Sequence, residues 1–453
     1  DVYKRQLIYL FKKLYKEKNM QNDNPIFDAR SLGYPKMILL GMQHTFAMFG
    51  ATVLVPILTG LDVSTTLLMA GLGTLLFHTL TKGRVPAFLG SSFAFLGGYA
   101  AVAPIIDGKP NTEMLPYAGG AVFCAGLVYV VLAALIKLYG VKKVMTFFPP
   151  VVTGPIIISI GLILAPTAIK NCETNWLLAV VAMGTIIFFN IWGRGMFKII
   201  PIILGVIASY VLAIILKDVN LSDITNKAIV SAPPITIMKF DFSAIITVMP
   251  ISLATMMEHI GDISAIGATT GENYIARPGL HRTLLGDGLA TCLSAAFGGP
   301  ANTTYGENTG VLALTKVYDP KVIRLAAVFA IIISFLPHIN FIISSIPAGT
   351  IGGVSLILYG MISAIGIRNV VENQVDFTKS RNTIIAALIL VCALGFSATG
   401  GISFQAFGAT VTLSGLAIAA LVGIIANAIL PGNEYIFDEH KDGTDQKFQT
   451  FEI

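Results

Sequence analysis

The chain has 453 residues, 55% of them hydrophobic and 12% charged, with a mean hydropathy of +0.77. Such a composition belongs to a polytopic membrane protein and leaves no room for a separate soluble domain. The net charge of +5 has no basic face to act through, which excludes a nucleic-acid role. The four cysteines, Cys124, Cys172, Cys292 and Cys392, lie too far apart for a disulfide framework or a metal site.

At roughly 20 residues per crossing, the apolar runs predict about fourteen transmembrane spans. In chain order these are 37–59, 64–81, 86–106, 117–137, 144–168, 175–193, 197–216, 242–266, 281–298, 300–315, 321–343, 346–367, 382–399 and 404–430. The expected class is therefore an all-α polytopic membrane protein. A tail over 1–36 precedes a first seven-span half, 37–216; a linker over 217–241 leads to a second half, 242–430, and a tail over 431–453. If the N-terminus is cytoplasmic, the tails and alternate loops hold 25 of the 30 Lys and Arg residues, and only Lys109, Lys170, Lys217, Lys227 and Lys239 fall on the other side. That bias follows the positive-inside rule and predicts two cytoplasmic ends and an even span count. Residues 1–36 are polar and basic apart from a short Leu7–Leu10 patch, so no cleavable signal peptide is expected. The sequence opens without a methionine, and residues 1–19 ahead of Met20 are a candidate extension; the tail after Pro431 is expected to be mobile.

Two spans look broken, Pro86–Gly98 (PAFLGSSFAFLGG) and Gly298–Gly310 (GGPANTTYGENTG). Each begins with Pro-Ala, Pro86-Ala87 and Pro300-Ala301, 214 residues apart, and the same offset carries His44 onto Glu258 and Phe93 onto Glu307. One register thus aligns spans 1 to 3 with spans 8 to 10. With an odd number of spans per half, the second copy enters the membrane the other way up, which predicts two inverted seven-span repeats with spans 3 and 10 interrupted. Matched interrupted spans point to a transporter's binding site. Irregular backbone at membrane depth survives only inside protein or along a cavity. Extended segments over 90–94 and 302–306 are therefore expected to face each other near the midplane, each starting a half-helix with free N–H donors.

Four acidic residues remain within spans: Glu258, Asp262, Asp287 and Glu307. A carboxylate at membrane depth costs at least ~2.5 kcal/mol, so each needs a partner, a proton or a function. A group that gains and loses a proton suits proton coupling. Glu258 and Asp262, spaced i, i+4, share one helix face with Thr255 and lie near Gly261. His259 points about 100° away from Glu258 and reads as a structural histidine. Glu307 sits where a half-helix begins. Asp287, in LLGDGLA, either ties spans 8 to 10 together or relays a proton. Gln43 and His44 lie in span 1 beside the same region; His44 either contacts Glu258 or Asp262 or bonds structurally to a neighbouring span. Carboxyls, backbone N–H groups and the aromatics Phe93 and Tyr305, with no basic residue, favour a neutral planar ligand bearing both N–H donors and C=O acceptors. A nucleobase fits, its face covered by an aromatic ring.

At these residues the chain resembles the nucleobase–ascorbate transporter family, also called nucleobase–cation symporters, and especially its bacterial uracil permeases. The family's tenth-span signature is matched by Glu307-Asn308-Thr309-Gly310, four residues, then Thr315-Lys316. Gln43-His44 in GMQHTFAMFGATVLVP, the stretch GSSFAF and Glu258-His259-Ile260-Gly261 match its motifs in spans 1, 3 and 8. The resemblance implies a core domain of spans 1–4 and 8–11, a gate domain of spans 5–7 and 12–14, elevator-like movement of core against gate, and a homodimer in a bacterial cytoplasmic membrane. It implies that Glu258 and Glu307 hold the base, with backbone at Phe93, Tyr305 and Gly306 contributing. No cofactor is implied beyond a coupled proton, for which Glu307, Asp262, His44 and Asp287 are the candidates. Asp262 stands where uracil permeases have a histidine, a choice more familiar in xanthine and purine carriers. Glu307, where purine carriers commonly have glutamine, pulls back toward uracil. Uracil with proton coupling is the favoured expectation, and a xanthine or purine permease is the alternative. An anion transporter of related fold needs positive potential that this site lacks. An ion channel would need a filter loop and a membrane enzyme a nucleophile, metal cluster or cofactor motif, none of which the sequence offers.

Overall fold

The computed structural model describes residues 25–106, 109–219, 222, 228–406 and 409–432. Expectations for residues 1–24, for Lys227 and for the tail from residue 433, including Lys441 and Lys447, lie outside the described residues. The first half begins with α1 (Tyr34–Thr59) and α2 (Val63–Leu80). Left-handed Gly60, at φ 81°, ends α1, and the Asp62 carboxylate caps α2 by accepting from the Thr65 N–H. Strand β1 (Leu89–Ser91) follows, then a 3₁₀ turn, Phe93–Phe95, that runs into α3 (Leu96–Val102). Next come α4 (Leu115–Tyr139), α5 (Pro150–Glu173), α6 (Trp176–Trp192) and α7 (Pro201–Ile215).

The second half opens with α8 (Phe242–Val248) and α9 (Ile251–Thr270), separated by a break at Met249-Pro250. It continues through α10 (Leu280–Ala296), β2 (Asn302–Thr304), α11 (Gly306–Thr315), α12 (Pro320–Ser334), α13 (Pro337–Ser344), α14 (Ala348–Glu372) and α15 (Ser380–Ala398). A hairpin, β3 (Ile402–Ala406) and β4 (Ala409–Leu413), leads into α16 (Gly415–Ile429). Among the described residues, seven helical segments are long and apolar enough to cross a membrane, or eight if α12 and α13 form one crossing.

Three expectations are corrected here. Span 11, 321–343, is not one helix: α12 and α13 meet at 86°. Pro337 supplies no N–H and forces Leu336 into an extended conformation, φ −105° and ψ 90°. Span 14, 404–430, is helical only from Gly415, because Ser403, Gln405, Thr410 and Thr412 alternate with apolar neighbours at the period of a strand. The class is accordingly helical with two short two-stranded ladders rather than all-α.

Packing pairs the halves. α5 and α14 lie against each other with backbones nearly touching: a Cβ at Gly366 would sit 2.6 Å from the Ile158 nitrogen, and one at Gly352 2.5 Å from that of Cys172. Other contacts come in exchanged pairs. α10 packs on α4 as α2 packs on α12, α14 on α6 as α5 on α15, and α7 on α6 as α16 on α15. Ahead of α1, the backbone at Ile26 bridges to Val317, the Ala29 N–H donates to Asp319, and Lys321 pairs with both Asp28 and Asp319. The Arg30 guanidinium, hydrogen-bonded to Asp28, holds that exposed carboxylate well below its usual range.

Candidate functional site

The two broken segments cross as antiparallel strands, with Leu89 opposite Thr304, Gly90 opposite Thr303 and Ser91 opposite Asn302. The ladder extends by one bond at each end, Tyr305 N–H to the Phe88 carbonyl at 3.0 Å and Ser92 N–H to the Ala301 carbonyl at 2.8 Å. Only glycine fits at position 90, where a Cβ would lie 2.5 Å from the Tyr305 ring and 2.8 Å from Thr52 Oγ1. Past the crossing the chain turns helical, into the Phe93–Phe95 turn and α3 on one side and α11 on the other. No side chain caps either start, so their first N–H groups point back toward the crossing. The extended stretches are shorter than 90–94 and 302–306: Phe93 is already in the 3₁₀ turn and Gly306 in the first turn of α11.

A small cavity lies beside the crossing. Ser91, Phe93, Glu258, Asp262 and the run Thr303–Glu307 line it, together with Ile157 of α5 and Ile362 and Ile365 of α14. Its lining includes no Lys, Arg or His. Two buried polar atoms in its wall lack a hydrogen-bond partner, Glu258 Oε2 and Thr303 Oγ1. Native proteins rarely leave such atoms unsatisfied, so a polar ligand here would complete them. Gly306 approaches closely: a Cβ there would sit 3.3 Å from Ile365 Cδ1 and 3.9 Å from Asp262 Oδ1.

Around the cavity runs a chain of polar contacts. The Thr304 hydroxyl donates to Asp262 Oδ2 at 3.0 Å and lies 3.4 Å from His259 Nδ1, which is also 3.2 Å from Asp287 Oδ2. Because the Thr304 proton goes to Asp262, His259 meets the Thr304 oxygen as the Nδ1–H tautomer. Its approach to Asp287 has ion-pair distance but not hydrogen-bond alignment, and both Asp287 oxygens are buried without a hydrogen bond. Asp287 of α10 is thus brought against α9 and, through His259, against β2. Thr255, on the face of Glu258, accepts a hydrogen bond from the Tyr129 hydroxyl of α4.

Two further side chains make their hydrogen bonds away from the carboxylates. His44 Nδ1 accepts from Asn308 Nδ2 at 3.0 Å, while that same amide nitrogen donates to the His44 carbonyl at 3.1 Å. His44 therefore ties α1 to α11, which is the structural alternative for this residue, and among the described residues it shows no hydrogen bond to Glu258 or Asp262. The Tyr305 hydroxyl donates to the Ser91 carbonyl at 2.9 Å and lies 3.4 Å from Thr52 Oγ1, and its ring packs against Gly90 while the residue stays in the cavity lining. Phe93 keeps its place in the wall and meets Tyr359 of α14 edge-on, with 5.7 Å between ring centroids. Sequence reasoning missed Thr303, Thr304 and the three isoleucines. Thr303 and Thr304 lie in the broken segment, where their hydroxyls were a usable signal; the isoleucines are indistinguishable from any other apolar residue of a span.

Residues 35–402 match the permease family. The uracil permease of Bacillus caldolyticus is 42% identical over 428 residues, covering 89% of this chain and 95% of that protein. The chain belongs to the permease family that includes the uracil permeases. The probable uracil permease of Haemophilus influenzae is 39% identical over 423 residues, covering 91% of this chain and 98% of that protein. Members of this family are transporters, not enzymes. Among solved structures, the transmembrane domain of the cyanobacterial bicarbonate transporter BicA superposes with a TM-score of 0.58 at 15% identity, covering 89% of this chain and 99% of that one. SLC26A9 gives a TM-score of 0.66 at 11% identity, over 89% of this chain and 66% of that one. At those identities the likeness is one of fold. The chain is therefore a multi-span membrane permease with the fold of these transporters.

Proposed function

We propose that this permease imports a nucleobase, with uracil the favoured substrate, by proton symport across a bacterial cytoplasmic membrane. The unpartnered Glu258 carboxylate in a cavity without cations carries the reading. It accepts a ring N–H, backbone N–H groups at Phe93 and Gly306 donate to ring carbonyls, and Glu307 holds the opposite edge. The names of the relatives support uracil; Asp262 at the cavity wall supports the second reading, a xanthine or purine permease. Fourteen spans in two inverted repeats account for the exchanged helix contacts, with α3 and α11 as half-helices of spans 3 and 10 and α12–α13 and the β3–β4 hairpin with α16 completing spans 11 and 14. In this reading the polar side of the cavity belongs to a core of spans 1–4 and 8–11, and the isoleucine side to a gate of spans 5–7 and 12–14. The core rides past the gate as an elevator in a homodimer, with both termini cytoplasmic. Asp262 and Glu307 are the proton carriers nearest the substrate, with Asp287 reached through His259.

Uptake of labelled uracil, xanthine and sulfate into proteoliposomes under an imposed pH gradient tests the reading. Uracil is expected to accumulate and to stop accumulating when the gradient is collapsed. Preferential accumulation of xanthine would select the second reading, uptake of sulfate would reject both, and uracil uptake indifferent to the gradient would remove the proton.

A further inference from the structure

A ladder of only two strands satisfies the backbone along its inner edges and leaves the outer edges bare. The bonds from Tyr305 N–H to Phe88 and from Ser92 N–H to Ala301 show which residues turn inward. By the alternation of an antiparallel pair, Leu89 and Ser91 on one strand and Asn302 and Thr304 on the other turn outward. Their N–H and C=O groups are buried at the crossing, where no water replaces a missing partner.

Two of these four, Leu89 and Asn302, are each met by one threonine, and the Ser91 carbonyl accepts from the Tyr305 hydroxyl. The Thr74 hydroxyl of α2 donates to the Leu89 carbonyl at 3.1 Å and accepts from the Leu89 N–H at 2.9 Å. The Thr291 hydroxyl of α10 donates to the Asn302 carbonyl at 2.9 Å and accepts from the Asn302 N–H at 3.2 Å. A hydroxyl is suited to this because it both donates and accepts, and both threonines are fully buried. α2 and α10 are also counterparts in the exchanged packing of the halves, so the same device occurs twice, once per broken segment. α2 further holds the second strand, through the Asn302 side-chain amide donating to the Met69 carbonyl at 3.3 Å.

We propose that Thr74 and Thr291 are positioning residues for the substrate site. Neither lines the cavity. Each pairs both outward backbone groups of one strand residue, Leu89 or Asn302, and so anchors the strand from which the following half-helix begins. Thr74 thereby sets the backbone at Phe93, and Thr291 sets Gly306 and Glu307. The inference rests on the nucleobase reading only for its choice of ligand.

The test compares Val and Ser at each position in the purified full-length protein, by uracil affinity, thermal melting and hydrogen exchange over 86–95 and 300–307. Valine keeps the shape and removes the hydroxyl, leaving two buried backbone groups unpaired. Thr74→Val and Thr291→Val are expected to weaken binding by the folded protein at least about tenfold and to speed exchange in the adjoining segment, while Thr→Ser stays within about threefold of wild type. If a Val variant does not fold, Thr→Cys replaces it, and affinity must rank Thr and Ser above Cys. Wild-type affinity in a folded Val variant with a lowered melting temperature would reduce the threonines to stability residues and overturn the proposal. Loss of binding in the Ser variants would overturn it equally. If the unmodified protein does not bind uracil, the nucleobase reading fails instead, and exchange alone decides: unchanged exchange in the Val variants rejects the clamps, and faster exchange restored by Ser upholds them.

Discussion

Glu258→Gln keeps the size of the side chain but presents an amide where the ligand needs an acceptor. Hydrogen bonds to charged groups contribute about 1.5–3 kcal/mol, so uracil affinity should fall about 10- to 150-fold. Titration calorimetry reads that loss, and an unchanged melting temperature shows that the fold survives. Asp262 and Glu307 divide differently. If Glu307 alone carries the coupled proton, Glu307→Gln should abolish gradient-driven accumulation while retaining uracil exchange, and Asp262→Asn should still accumulate uracil. The reverse pattern moves the role to Asp262, and loss in both variants means that the proton is shared by the pair. Carboxyls of this kind were legible in the sequence because a charge in an apolar run stands out on cost alone. The partner of a residue such as His44 was not, since it depends on which span lies beside it, and Asn308 is 264 positions away. Thr304 lay in a segment the sequence marked as broken, but which group its hydroxyl would meet, Asp262 on α9, again depended on the packing of another span.

At the scale of elements, unbroken spans were legible and broken ones less so. Length and hydropathy located α1, α2, α4 and α14 to within a few residues, but the same criteria fused α12 with α13 across Pro337 and hid the β3–β4 hairpin inside an apolar run. Hydropathy averages over a window, whereas one proline or a period of two acts locally. What the averages also concealed is how close α5 and α14 come. Gly366→Val would drive a side chain into the backbone at Ile158 and Gly154, at 2.6 and 2.8 Å from the added Cβ. Overpacking of this kind costs about 1–3 kcal/mol, and melting in detergent should show the loss. Gly360 on the same helix has nothing within 4 Å of an added Cβ. Gly360→Val is therefore the control, with melting expected close to wild type.

For the whole molecule, the division of the cavity matters more than any one contact. All its polar groups come from the strand crossing, α9 and α11, while α5 and α14 supply only Ile157, Ile362 and Ile365. In the proposed elevator movement, a wall of isoleucine would have no hydrogen bond to break. The same wall has a thermodynamic consequence for sidedness. If every group that recognises the substrate travels with it, the permease presents one and the same receptor to the cell exterior and to the cytoplasm. The intrinsic affinity for uracil should then be equal from the two faces, leaving the proton gradient as the sole source of direction. Right-side-out and inside-out vesicles, compared at one pH on both sides, should return half-saturation constants agreeing within a factor of about two, well inside the tenfold that 1.4 kcal/mol would produce. A constant tenfold apart would mean that one face adds a contact of its own, and the vectorial character of uptake would then be built partly into the protein rather than borrowed wholly from the membrane.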